Sequence, residues 1–363
     1  MSSGKKKRVL IAMSGGIDST VAAMLLKEQG YDLVGVTFRT FDSITESCLA
    51  KEKGCCSIDS IMEAKQNAER LGFEHHIVDF RNTFRATVIQ NFMDEYMRGR
   101  TPNPCVLCNS HIKWGELTAK ATELNCDYIA TGHYAQIEQE NGYYFLATAK
   151  DIHKDQTYFL WMLTQQNLAH TIFPLGNLTK QEVRQIAFEK GFEKLSKKAE
   201  SQEICFVPND DYRTFLAQNV PDFAKRCHSG NFIDANGKVI GQHQGFHNYT
   251  IGQRKGLRVA FGVPKYVTAI NAEKNEVVLG AHDDLLTNTL EADKCRLVDE
   301  NLLQTNNSIL ARIRYKSQAV EASATYNDGI LKLSFAQPVW GVTPGQSVVL
   351  YQNNHVLGGG FIK

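Results

Sequence analysis

Val9-Leu10-Ile11-Ala12-Met13-Ser14-Gly15-Gly16-Ile17-Asp18-Ser19 is the stretch on which the fold turns. Its first five residues form an apolar run with the length of a buried strand. Thr20 to Gln29, which follow, place Val21, Ala22, Leu25 and Leu26 on one helical face. Between strand and helix lie two glycines and two serines. Glycine lets backbone approach a phosphate closely, and a helix N-terminus adds aimed N–H donors with partial positive charge. The loop is not a Walker A sequence, because no Gly-Lys-Ser/Thr follows, and it lacks the G-x-G-x-x-G spacing of a dinucleotide site. The reading without a ligand is a plain strand–turn–helix with Asp18 as N-cap.

Outward from this unit, strands and helices alternate. Leu33 to Phe38 reads as a strand, Ile58 to Leu71 as a helix stopped by Gly72, and His75 to Phe80 as a strand. Thr83 to Arg98 and Trp114 to Leu124 read as helices, and Asp127 to Thr131 as a further strand. Such alternation predicts an α/β domain whose parallel sheet is covered on both faces, with ligands beyond the carboxyl ends of the strands. Thr179 to Lys190 and Asp211 to Gln218 are the last clear helices. Turn signals then appear at Asn236-Gly237, Asn327-Asp328-Gly329 and Pro344-Gly345. Short strands are expected at Ser308 to Tyr315, Ala319 to Tyr326, Leu331 to Phe335, Gln346 to Tyr351 and Val356 to Ile362. They predict a small antiparallel β-barrel or sandwich. The expected division is a catalytic domain over 1–210, a central domain over 211–284 and a C-terminal β domain over 285–363.

A chain of 363 residues, 43 % of them apolar, can bury real cores and is not a disordered tail. Its formal net charge of +1 announces no nucleic-acid partner, so a basic binding face has to be local. No apolar run approaches the ~18 residues of a membrane span. Lys5-Lys6-Lys7-Arg8 has the charge of a signal n-region, but the apolar stretch behind it is too short. The expectation is a cytoplasmic protein without a membrane partner. Nine cysteines, at 48, 55, 56, 105, 108, 126, 205, 227 and 295, are an odd number for a disulfide framework. At this density, without a signal, they point to redox, catalytic or metal chemistry. Cys126, Cys227 and Cys295 are expected to pack as small apolar groups. Cys48, Cys55 and Cys56 suggest a mobile segment rather than a metal site.

Thr101-Pro102-Asn103-Pro104-Cys105-Val106-Leu107-Cys108-Asn109 is a proline-bounded entry into a helix expected to begin at Asn109. That start would leave the Cys108 thiolate stabilised by the helix dipole. Cys205 is expected in a short apolar strand beside Glu200 and Glu203. Structural zinc is disfavoured, since Cys105 and Cys108 supply two ligands and no second C-x-x-C exists, although Cys55, Cys56 and His111 are available. An iron–sulfur cluster on Cys105, Cys108 and Cys205 is a second disfavoured alternative.

The Ser-Gly-Gly-Ile-Asp-Ser loop resembles the pyrophosphatase loop of enzymes that adenylate a substrate with ATP. Further motifs follow it in order: Thr131-Gly132-His133-Tyr134, Lys154-Asp155-Gln156, Gln202-Glu203-Ile204-Cys205-Phe206, Gly252-Gln253-Arg254-Lys255-Gly256-Leu257, Arg314-Tyr315 and Pro344-Gly345-Gln346. With the proline-bounded segment, they make the chain resemble the bacterial tRNA-specific 2-thiouridylase family nearly end to end. The resemblance implies an adenine-nucleotide alpha-hydrolase-like parallel-sheet domain, a small central domain and a C-terminal antiparallel β-barrel. It implies ATP, with Mg²⁺, on Ala12, Met13, Ser14, Gly15, Gly16, Ile17, Asp18, Ser19, Phe38 and Gly132. Asn103, Pro104 and Cys105 would face the target base. His133, Lys154, Asp155, Gln156, Arg314, Tyr315 and Gln346 would touch tRNA.

The implied reaction adenylates O2 of the wobble uridine (position 34) and then displaces AMP with sulfur. Cys205 would carry a persulfide received from a donor protein, a cysteine desulfurase or relay protein, and Cys108 would be the partner thiol. Many relatives carry Asp where this chain has Cys105, which leaves the role of that thiol open. Two rival readings share this core: another adenylating ligase, which needs no thiol pair, and a non-catalytic nucleotide- or RNA-binding protein.

Overall fold

The structure, a computed structural model, describes residues 6–41, 58–198, 204–257, 262–304 and 309–363. Cys48, Cys55, Cys56, Glu200 and Glu203 lie outside the described residues. The chain forms two compact units. The first takes residues 1–88, 105–210 and 354–356, and the second takes 89–104, 211–353 and 357–363.

In the first unit, β1 (Arg8–Ala12), β2 (Asp32–Arg39), β3 (Glu74–Asp79), β4 (Tyr128–Ala130) and the short β7 (Thr171–Ile172) form one sheet. β1 is central, flanked by β2 and β4, and every registered pair is parallel. Leu10 lies opposite both Val34 and Ile129. Val9, Leu10 and Ile11 are fully buried, as an unbroken apolar strand covered on both faces requires. Helix α1 (Ile17–Glu28) and the helix Lys180–Glu189 share one core with that strand, where Val21, Ala22 and Leu26 meet Val9, Ile11, Val183 and Ala187.

One hairpin of this unit escaped the sequence reading: β5 (Gln136–Glu140) with β6 (Tyr143–Ala147). Its signal was present, since Asn141-Gly142 has positive φ at both positions (50° and 85°), the geometry of a two-residue hairpin turn. The helix expected from Trp114 starts ten residues earlier. Helical backbone runs through Pro104–Leu107, a π-helical stretch Cys108–Glu116 and Leu117–Glu123. Proline suits the first helical position because the N–H it lacks has no partner there anyway.

The second unit holds a four-stranded sheet and a barrel. β8 (Gly230–Ile233), β9 (Val239–His243), β10 (Tyr266–Asn271) and β11 (Glu276–Gly280) pair in the order β10-β11-β8-β9, with β8 and β11 parallel. The barrel is built from β12 (Leu286–Leu297), β13 (Ile309–Arg312), β14 (Val320–Asn327), β15 (Ile330–Trp340), β16 (Ser347–Gln352) and β17 (His355–Ile362). Their order is β12-β15-β14-β13-β16-β17, and β12 also pairs with β17, from Ala292 opposite Ile362 to Leu297 opposite Gly358. That pairing closes the sheet, so the β domain is a barrel and not a sandwich. A Cβ at Gly358 (φ 144°) would lie 2.2 Å from the Arg296 carbonyl oxygen, so only glycine fits the seam. Residues 89–104 also belong to this unit. Phe92 packs edge-on against Phe215, and Tyr96 stacks on Tyr212 at 4.6 Å.

Candidate nucleotide and thiol site

The glycine loop leaves the carboxyl end of β1 and enters α1. The Met13 N–H donates to Val36 O (2.8 Å), and Thr37 Oγ1 donates to Met13 O (2.8 Å), which ties the loop to β2. Ser14 N–H donates to Ser19 Oγ (3.1 Å), and Thr20 Oγ1 donates to Gly16 O (2.9 Å). The N-cap is Gly16, and no side chain caps the helix. Asp18 lies inside the first turn, so the plain strand–turn–helix alternative with Asp18 as its cap does not hold. The loop is therefore a short run of serine hydroxyls and first-turn amides, the donor set that suits phosphate oxygens. Gly132, just beyond β4, presses on this loop: a Cβ there would sit 2.7 Å from Ser19 N. Phe38, near the end of β2, is half-buried against Phe80 at 5.4 Å.

The Asp18 carboxylate has specific partners. Lys180 Nζ donates to both of its oxygens (2.7 and 2.8 Å), and the Tyr134 hydroxyl donates to Oδ1 (2.8 Å). Lys180 is buried, only 8 % exposed. Sequence reading missed both partners. The available signal was a lysine in the first turn of a helix opened by Thr179, where the dipole favours acids over bases. Tyr134 is in turn clasped by Gln156, whose Oε1 accepts from Tyr134 N (3.0 Å) and whose N–H donates to Tyr134 O (2.9 Å).

The neighbouring residues for which the resemblance implies tRNA contact are largely engaged within the protein. Asp155 is buried, accepting from Ala149 N (2.8 Å) and from Thr157 Oγ1 (2.5 Å). Lys154 is half-buried. His133 is buried, with Lys113 Nζ 3.2 Å from Nε2 and Thr131 Oγ1 2.6 Å from Nδ1. An ammonium can only donate, so Nε2 accepts and Nδ1 carries the proton. Burial, reinforced by Lys113, holds the imidazole well below its ordinary pKa and therefore neutral.

The thiols sit differently from expectation. The helix begins at Pro104, which puts Cys105 in its first turn and Cys108 at the start of the π segment. Dipole stabilisation, strongest in the first turn, thus falls on Cys105 rather than Cys108. Cys105 is exposed, yet protein crowded around it raises its thiol pKa, while the Lys113 ammonium pulls the other way. Cys108 is half-buried. Cys205 lies in a turn and not in a strand, because Val207 N–H donates to Ile204 O (3.0 Å) and the chain folds back. That turn buries Phe206 against Phe84 (5.6 Å) and leaves Cys205 exposed. Cys126, Cys227 and Cys295 are half-buried thiols pushed up to about 11 by burial.

In the second unit, Asn103 and Pro104 are buried. Gln346 Nε2 donates to Pro102 O (2.9 Å) and Thr101 O (3.3 Å), fastening that segment to the start of β16. Arg314 Nη2 donates to Gly341 O (2.6 Å) and Ile251 O (3.2 Å), with the guanidinium 5.8 Å from the Trp340 ring. Tyr315 follows it, half-buried.

Among the described residues no three His, Cys, Asp or Glu side chains gather as a metal would require. Cys105, Cys108 and Cys205 are not part of any such group among the described residues. Asp18, whose oxygens already accept from Lys180 and Tyr134, does not fit a protein-held Mg²⁺.

Three family models match in sequence order: a tRNA methyl transferase HUP domain over residues 7–209, a tRNA methyl transferase PRC-barrel domain over 213–281, and an aminomethyltransferase beta-barrel domain over 287–362. They define a class of three-part chains with a nucleotide-fold domain followed by two β domains. The chain belongs, within it, to the tRNA-specific 2-thiouridylase family. It is 48 % identical over 360 residues to the tRNA-specific 2-thiouridylase MnmA of Amoebophilus asiaticus, covering 99 % of this chain and 96 % of that protein. To the protein of the same name from Cytophaga hutchinsonii it is 46 % identical over 360 residues, covering 99 % and 98 %. Among solved structures, a 4-thiouridine synthetase–RNA complex with bound ATP aligns over 60 % of this chain and 52 % of that one, at 18 % identity and a TM-score of 0.37.

Proposed function

We propose that this chain is a cytoplasmic tRNA-uridine 2-sulfurtransferase that uses ATP to thiolate the wobble uridine of tRNA. One observation carries the reading: the 48 % identity to a tRNA-specific 2-thiouridylase spans 99 % of the chain, and so takes in the glycine loop and both candidate thiols. The proposed domain division is 1–210 for ATP chemistry, 211–284 as the central domain and 285–363 as the barrel.

Chemically, the loop from Ala12 to Ser19 with Gly132 holds the ATP phosphates, and any Mg²⁺ arrives on those phosphates. Uridine O2 bonds to the α-phosphorus and pyrophosphate leaves. Sulfur from a Cys205 persulfide then replaces AMP at C2, by direct attack or as hydrogen sulfide freed when Cys108 attacks the persulfide. Either route transfers one sulfur, leaves a Cys108–Cys205 disulfide, and needs an external thiol to reduce it. The exposure of Cys205 supports access by a donor protein.

The test is mass spectrometry of wobble nucleosides after incubation with ATP, tRNA and a persulfide donor. Cys108→Ser and Cys205→Ser are each expected to abolish 2-thiouridine while sparing tRNA-dependent AMP formation. The double variant should lose no more, since residues acting as a unit are non-additive. Normal thiolation by either serine variant removes the two-thiol mechanism, and absence of 2-thiouridine with the native chain removes the function.

A further inference from the structure

The glycine loop carries a carboxylate, Asp18, where a polyanion is to bind. A bare carboxylate there would repel the phosphates of ATP. The structure supplies a cation for it from a distant part of the chain. We infer that Lys180 is a positioning and charge-balancing residue of the ATP site, which it serves by neutralising and orienting Asp18. The inference rests on the ATP reading of the loop.

The placement is built. Lys180 is the first residue of its helix, and its backbone N–H donates to Asp151 Oδ2 (2.9 Å). Thr179 and Glu182 form a reciprocal capping box around it, and Lys150 Nζ holds Glu182 at 2.7 Å. From there the buried ammonium reaches both oxygens of Asp18 and lies 5.7 Å from the Tyr134 ring centre. A lysine in the first turn opposes the helix dipole. A largely buried one is retained when it is paired, and its pair is a residue of the phosphate loop. A Walker-type loop carries its lysine within the loop itself. Here the cation comes from another helix and acts through an acid. In the step it serves, uridine O2 bonds to the α-phosphorus. The bond from that phosphorus to the bridging oxygen breaks, and pyrophosphate departs with the electron pair while the uridine N3 proton passes to water. Lys180 keeps the loop's own charge from opposing the entry of ATP.

Binding of α,β-methylene ATP with Mg²⁺, by calorimetry without tRNA or sulfur donor, tests this. K180M is expected to weaken binding at least tenfold, because it strands a carboxylate beside the phosphates, and K180R to stay within about threefold of the native chain. The double variant D18N/K180M, which removes both charges, should return to within about threefold of D18N. In turnover, K180M should raise the KM for ATP at least tenfold and leave that for tRNA within twofold. A purely structural lysine would lower melting temperature and both affinities together, with no rescue by D18N. Should K180M fail to fold, the neutral double variant still decides: unfolded, or binding nucleotide more than tenfold worse than D18N, it overturns the inference. Native-like nucleotide binding by K180M overturns it as well. If the native chain fails to thiolate tRNA, the proposed function falls while this binding comparison still stands.

Discussion

Six described cysteines share one chain but not one chemistry. Cys205 and Cys105 are exposed, whereas Cys126, Cys227 and Cys295 are half-buried with thiols held near 11. Alkylation follows thiolate fraction and access. Brief treatment with iodoacetamide at pH 7.5 should therefore label Cys205 before those three and before Cys105, whose thiol is also raised by the protein around it, as peptide mapping would show; equal labelling would contradict the burial pattern. Asp18→Ala should abolish tRNA-dependent AMP formation with little change in fold, measured by product release and far-UV circular dichroism. The residues legible in the sequence were those whose chemistry is local. Two glycines and two serines between an apolar run and a helical face mark a strand–loop–helix unit, which the structure has at β1 and α1. Lys180 and Tyr134 were not legible, because their meaning lies in a contact with Asp18 across more than a hundred residues of chain.

Elements were read well where periodicity alone decides them, as in β1, α1 and the closing strands of the barrel. They were misread where a start or a pairing partner decides. Pro104 begins a helix that apolar spacing placed ten residues later, and the apolar stretch around Cys205 folds back in a turn closed by the Val207 N–H on Ile204 O. The Asn141-Gly142 hairpin went unread although its turn signal is among the strongest available. At this scale the capping box on the helix Lys180–Glu189 is directly testable. Thr179→Ala should cost about 1 kcal/mol, read as a lower urea midpoint, and should weaken ATP binding as well, since the same turn carries Lys180. A stability loss with no effect on nucleotide would separate the cap from the site.

At the scale of the molecule, several imidazoles are buried and neutral. His247, 4 % exposed, is pushed down to about 4 chiefly by burial, and His243 and His133 are lowered by the same cause. An unfolded imidazole takes its proton near ~6.5, before the folded one does, so acid favours the unfolded chain. The stabilising effect is complete above pH 6.5 and is lost as pH falls toward 4, by up to about 3 kcal/mol for His247. Urea midpoints should fall between pH 7.5 and pH 5, and His247→Gln should shallow that slope; a flat profile in the native chain would refute the assignment. The two units are also interleaved in sequence, since residues 89–104 pack with residues beyond 210. The barrel seam has a further consequence during synthesis. β12 is the first barrel strand to leave the ribosome and β17 the last, yet these two must pair. Until β17 emerges, β12 offers an unpaired edge to any other nascent chain. The cell therefore holds an open sheet for as long as translation takes to cross the barrel, and a pause within that stretch, with no change in sequence, would lengthen its exposure to aggregation and to chaperones.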